Sequence, residues 1–144
     1  MSTGVDVFDA TIQKTINLLN DISQEFGWPE GRRFQAYKAL RSVLHEIRDR
    51  LPVTESANFA AQLPLLVRGF YYEGWKPESV PRKTHLQEFL DDIQKNFQLS
   101  VEGGPARLVD GVLRGLSRHV EPRIFDHIQQ ELPTDLRPLF NVAA

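Results

Sequence analysis

The amino-acid sequence predicts an all-α protein: two tandem copies of a helical repeat, about four helices each, packed as one pseudo-symmetric bundle. Three observations carry this. Apolar residues recur every three or four positions along most of the chain. No segment shows the period-two alternation of Val, Ile and Thr that a half-buried strand requires. Arg41 to Tyr71 also reads onto Asp110 to Phe140 without a gap, at an offset of 69 residues. In that register Val43, Leu44, Ile47, Leu51, Phe59, Leu63, Pro64, Val67, Phe70 and Tyr71 fall on Val112, Leu113, Leu116, Val120, Ile128, Leu132, Pro133, Leu136, Leu139 and Phe140. Since 144 residues suffice for one ordinary core and are short for two, a single domain over 1–144 is expected. Repeat 1 takes about 6–72, a linker 73–83 and repeat 2 about 84–140.

Each element follows from its local pattern. Asp6 is suited to cap a first helix whose stripe is Phe8, Ile12, Ile16, Leu19, Ile22 and Phe26, and Gly27 stops it. Pro29 suits the first turn of a second helix with the stripe Phe34, Tyr37, Leu40, Leu44, Ile47 and Leu51, which Pro52 ends. Thr54 or Ser56 starts a short third helix carrying Phe59 and Leu63; Pro64 marks the junction to a fourth carrying Val67, Phe70 and Tyr71. Helices of two or three turns are marginal alone in water, so both require packing. Glu73 to Pro81 has no helical period and reads as the linker. Thr84 and Gln87 form a capping-box pattern, and Leu86, Leu90, Ile93 and Phe97 match the first helix at an offset of 71. Gly103-Gly104-Pro105 makes a turn before a helix reaching about Val120, after which Pro122 and Pro133 start the last two.

Composition narrows the function classes. Hydrophobic residues make up 41% and charged residues 25%, the balance of a soluble globular protein. There is no cysteine, which removes disulfides and thiolate chemistry. A net charge of −2 supplies no field favouring nucleic acid or anionic lipid. The beginning of the chain has neither a basic start nor an apolar signal core, so a cytoplasmic location is expected. Interleaved charges in His45-Glu46-Ile47-Arg48-Asp49-Arg50 read as a solvated helix face.

No pattern of catalytic or metal-binding residues emerges. The histidines at 45, 85, 119 and 127 form no i, i+4 metal motif. His119 falls on Arg50 of the other copy, which suggests a surface position. Glu46/Asp49 and Asp91/Asp92 read as helix-exterior carboxylates; Ser117 and His119, two apart on a helix, point to different faces. Gly103-Gly104-Pro105 lacks the Lys-Ser/Thr ending of a phosphate loop. The basic doublets Arg32-Arg33 and Arg82-Lys83 are too sparse for RNA binding. No catalytic residue, cofactor or metal is therefore assigned, and neither nucleic acid nor membrane is expected as a partner.

Differences between the copies carry the functional signal. Leu65 and Leu66 fall on Thr134 and Asp135, so the fourth helix is apolar almost all round. The second half is expected to cover it, with a partner protein as the alternative. Phe70 to Trp75 forms an aromatic run whose counterpart ends in Asn141-Val142-Ala143-Ala144. Trp75 and Tyr72 are expected to seal the linker over the core; the functional alternative is an exposed contact site. On that alternative, Arg68, Tyr71, Tyr72, Glu73 and Trp75 form the candidate interaction surface of a non-enzymatic module, engaging a protein partner or a second copy. The competing reading is an enzyme or small-molecule binder using a groove between the copies, with His119, Arg50, Arg118 or Glu73 supplying polar groups.

The run from Ala36 to Pro77, with Phe8 to Trp28 before it and Leu113 to Phe140 after, resembles the bacterial family catalogued as domain of unknown function 2267. Arg48 to Pro52 (RDRLP) and Gln62 to Pro77 (QLPLLVRGFYYEGWKP) carry the most specific part. The resemblance implies a small helical bacterial protein with no assigned activity, so it transfers no catalytic residue.

Overall fold

The computed structural model describes residues 2–142. Among them are seven α-helices and no strand: α1 (Asp6–Phe26), α2 (Arg33–Asp49), α3 (Val53–Ala60), α4 (Leu65–Tyr72), α5 (Leu86–Asn96), α6 (Gly104–Leu116) and α7 (Arg123–Glu131). Short 3₁₀ turns occupy Glu30–Arg32, Pro77–Ser79 and Arg137–Phe140.

The breaks lie where the sequence places them. Gly27 takes φ 68°, a left-handed conformation that glycine adopts without strain. Its N–H and that of Trp28 then close the helix end on the Gln24 and Ser23 carbonyls. Pro52 and Pro64 stand immediately before α3 and α4, where a missing N–H costs nothing. Three starts differ from expectation. Pro29 precedes a 3₁₀ turn, and α2 begins only at Arg33. Asp6 lies inside the first turn of α1 rather than at its cap. Thr84 and Gln87 form no capping box, because Thr84 accepts from Arg50 and the Leu86 N–H is capped instead by Asp135, at 2.9 Å.

Most of the aligned apolar positions are buried in both stretches. Val43, Leu44, Ile47, Phe59, Leu63, Val67 and Tyr71 are core residues, and so are Val112, Leu113, Leu116, Ile128, Leu132, Leu136 and Phe140. The last segment departs from the pattern: α4 has eight residues, whereas its counterpart is only the four-residue turn Arg137–Phe140. Pro138 explains this, since its ring would clash with the preceding helical turn and it has no N–H to donate.

The principal helix pair is α1 on α6. It depends on Gly111 and Gly115, four residues apart on one face of α6. A Cβ on Gly111 would strike the Phe26 ring, and one on Gly115 would lie 2.7 Å from Ile22 Cγ1 and 2.9 Å from Ile22 Cα. The two glycines thus let α1 approach α6 more closely than any side chain would permit.

The charged run at the end of α2 is not a solvated face. Glu46, Arg48 and Arg50 are buried, because the linker and α5 fold across them. The Arg50 guanidinium donates to Glu46 Oε1 (2.8 Å), Asp92 Oδ2 (3.0 Å) and Thr84 Oγ1 (2.7 Å), and lies over the Phe89 ring. Asn96 satisfies the second Glu46 oxygen. Every strong hydrogen-bonding group is answered, the condition under which a buried ion pair is tolerated. Burial nevertheless raises the Glu46 carboxyl above its ordinary range, against the opposing pull of Arg50.

Candidate functional site

The α1 stripe predicted from spacing is only partly a core stripe. The face of α1 that enters the core carries Thr11, Thr15, Leu18, Leu19 and Ile22. Ile12 and Ile16 are half-buried, and Phe8 is 50% exposed. Ile12 and Ile16 turn toward an open channel flanked by α4 and the start of α2. Phe34, expected in the core, is 71% exposed and stands at this channel.

The result is a groove of about 700 Å³ lined by Ile12, Thr15, Ile16, Leu19, Arg33, Phe34, Tyr37, Leu66, Gly69, Phe70 and Glu73. Its walls are almost wholly apolar, with Arg33 and Glu73 as the charged members. Leu65 and Leu66 remain 49% and 46% exposed, so the second half does not cover α4 as expected. The reason is geometric: α4 packs on α1 and α2 of its own half, and the Leu66 N–H is taken by Thr11 Oγ1 at 2.9 Å.

Gly69 adds a second feature. It sits mid-helix in α4 with ordinary helical geometry, and a Cβ there would meet nothing within 4 Å. Internal packing therefore gives no reason for a residue that weakens a helix by roughly 1 kcal/mol relative to alanine. Its effect is to widen the groove at the level of Leu66 and Phe70.

A family profile described as uncharacterized conserved protein (DUF2267) matches residues 16–139. The chain belongs to that family. No curated protein matches it. On this DUF2267 chain the matched span includes Ile16, Leu19, Phe34, Tyr37, Leu66, Gly69 and Phe70 of the groove, and it begins inside α1, after Phe8 and Ile12.

The expected contact residues separate into distinct roles. Tyr71 is fully buried, its hydroxyl 2.5 Å from Ser56 Oγ, and burial pushes the phenol well above its usual range. It is corrected from surface to core. Arg68 donates to the Ala60, Ala61 and Leu63 carbonyls, completing the end of α3. Tyr72 and Trp75 are half-buried and continue an aromatic stack from Phe59 through Tyr71. The buried Trp75 Nε1 has no hydrogen-bond partner among the described residues. Glu73 alone of the five lines the groove.

The end of α4 is fixed from below. Arg48 donates to the Tyr71 and Glu73 carbonyls at 2.9 and 2.7 Å, and His45 Nε2 donates to the Phe70 carbonyl at 2.6 Å. A cation at a helix C-terminus also meets the negative end of the helix dipole. Burial lowers the His45 pKa, so the neutral ring is the favoured donor.

Residues proposed for a groove between the halves do not meet. Arg50 is in the buried ion network, His119 pairs with Asp21 at 2.7 Å, Arg118 pairs with Glu25 at 3.0 Å, and Glu73 lies at the α1–α4 groove. None of the larger clefts formed by the described residues contains two of them. Arg50 is also corrected from surface to interior. Its counterpart His119 is half-buried, so alignment did not carry exposure between the two positions. Among the described residues no helix is long and apolar enough to cross a membrane.

The sequence signal for the groove was present but pointed elsewhere. Leu65 and Leu66 lie on a helix that borders the groove, whereas Phe8, Ile12, Ile16 and Phe34 read as core because periodicity reports an apolar face without saying what covers it.

Proposed function

We propose that this protein is a non-enzymatic interaction module whose groove between α1, α2 and α4 receives the apolar face of a helix from a protein. One observation carries the reading: exposed Phe34 and Leu66 adjoin Ile12 and Ile16 in one continuous apolar channel. Single exposed apolar residues are ordinary on a surface, but a contiguous patch marks a binding site. Helix-in-groove recognition uses such a channel, with anchors at helical spacing on the incoming segment. Glu73 and Arg33 offer polar contacts beside it, while Tyr72, Trp75 and Arg68 hold α4 and its neighbours in place. The aligned burial of the two stretches further supports reading them as copies of one helical unit.

Chemical cross-linking in cells of origin, followed by mass spectrometry, tests the reading. Cross-links from positions around Lys38 and Glu73 to one defined protein are expected, and Leu66→Asp should remove them while circular dichroism stays unchanged. Cross-links that persist in folded Leu66→Asp would place the interaction elsewhere.

A further inference from the structure

We infer that the occupant of the groove is α1 of a second copy of this chain, the two α1 helices lying antiparallel in each other's grooves about a twofold axis near Ile12 and Ile16. This rests on the interaction reading above and names its partner.

Self-complementarity is the first argument. A twofold interface requires one patch to be both donor and acceptor of the same contacts. The exposed stripe of α1 runs from Val5 and Phe8, at 42% and 50% exposure, through Ile12 and Ile16. It is thus a helix with an apolar face at i, i+4 and i+8, and it also forms one wall of the groove that would accept such a face.

Charge supplies the second. On a helix, Asp9 lies beside Ile12 and Ile16, at the outer edge of the stripe near its N-terminal end. Arg33 lies at the other end, because the chain turns back at Gly27 to Arg32 and brings the start of α2 beside the later part of α1. The buried Arg33 Nε has no hydrogen-bond partner among the described residues, and its guanidinium makes no ion pair with them. Antiparallel pairing about Ile12 and Ile16 places the Asp9 end of one copy at the level of Leu19 and Arg33 of the other. Both acid–base contacts form at once, while Val5 and Phe8 come to rest against Leu19 and Phe34. A parallel pair would instead set Asp9 against Asp9.

Gly69 completes the fit. With no Cβ at that position, the wall of the groove recedes where the incoming helix passes.

Sedimentation equilibrium from about 1 µM to about 1 mM covers dimers across the weak-to-moderate range. The expected result is a reversible rise from one chain mass to two. Ile16→Asp, at the axis, should weaken the dimer at least about 100-fold, because each interface would bury two uncompensated carboxylates. Phe34→Asp, at a position so exposed that the monomer fold tolerates it, should do the same and serves if Ile16→Asp fails to fold. Arg33→Asp and Asp9→Arg should each weaken association about tenfold, and the double variant should restore it. A single-chain mass at the highest concentration, a dimer indifferent to Phe34→Asp, or a double variant no better than either single one would overturn the pairing. If the protein stays monomeric while Leu66→Asp still abolishes cross-links to another protein, self-pairing fails and the interaction module stands.

Discussion

The two aligned stretches share most of their buried positions and differ at one edge. Where the first half presents Ile12, Ile16, Leu66 and Gly69, the aligned positions of the second carry Lys83, Gln87, Asp135 and Pro138. The effects are concrete. Asp135 caps α5, whereas Leu66 points into the groove. Pro138 reduces the last segment to a 3₁₀ turn, whereas Gly69 leaves α4 intact and open at its face. These exposed apolar side chains form the edge that the proposed interaction would cover.

The aligned pair Arg50 and His119 gives the largest expected contrast. Arg50→Ala leaves the buried Glu46 without its cation and Asp92 with only the more exposed Arg82, and should cost about 3–5 kcal/mol in urea unfolding. His119→Ala removes a half-exposed contact to Asp21 and should cost under about 1 kcal/mol. Equal costs would mean that the buried network is not a distinguishing feature of the first half.

Two glycines sharpen the contrast between core and edge. Gly115→Val forces a side chain against the Ile22 backbone and should destabilise by about 1–3 kcal/mol. Gly69→Ala should do the reverse, stabilising by roughly 0.5–1 kcal/mol while filling part of the groove. A loss of stability in Gly69→Ala would show that the residue serves the fold, and the groove would lose one of its supports.

The smallest effect concerns pH. The His45 pKa is lowered in the folded state by burial, so the unfolded chain binds the proton first as pH falls. Its contribution is fully present above the ordinary value of 6.5 and is lost as pH drops through that value toward the folded pKa. Unfolding of the wild type should therefore become easier between pH 7.5 and pH 5.5, and His45→Gln should flatten the change. An undiminished pH dependence in His45→Gln would assign it to other groups.

Much of the fold was legible from the chain. Gly27, Pro52, Pro64 and Pro122 punctuate it by rules that act within a few residues, and most of the aligned apolar positions are buried in both stretches, Val120 and Leu139 being half-buried exceptions. What escaped depends on contacts distant in sequence. Nothing local distinguishes Ile16, which lines a channel, from Ile22, which is fully buried in the core from the same helix. Arg50 read as surface because charge is usually exposed, whereas its burial is made tolerable by Glu46 one turn back together with Asp92 and Thr84, which arrive from later in the chain. Gly111 and Gly115 carried no turn signal, since their role is close approach to α1. The candidate surface was placed one face away from the groove for the same reason: Tyr71 and Leu66 share α4, but only Leu66 faces outward.

Carbene footprinting of the wild type at low and high protein concentration tests the difference between the halves most directly. Labelling at Ile16, Phe34 and Leu66 should fall as concentration rises, while Gln87 and Asp135, the positions aligned with Ile16 and Leu66, stay equally labelled. Labelling that is unchanged with concentration at Ile16, Phe34 and Leu66, or that falls equally at both edges, would contradict a binding face confined to the first half.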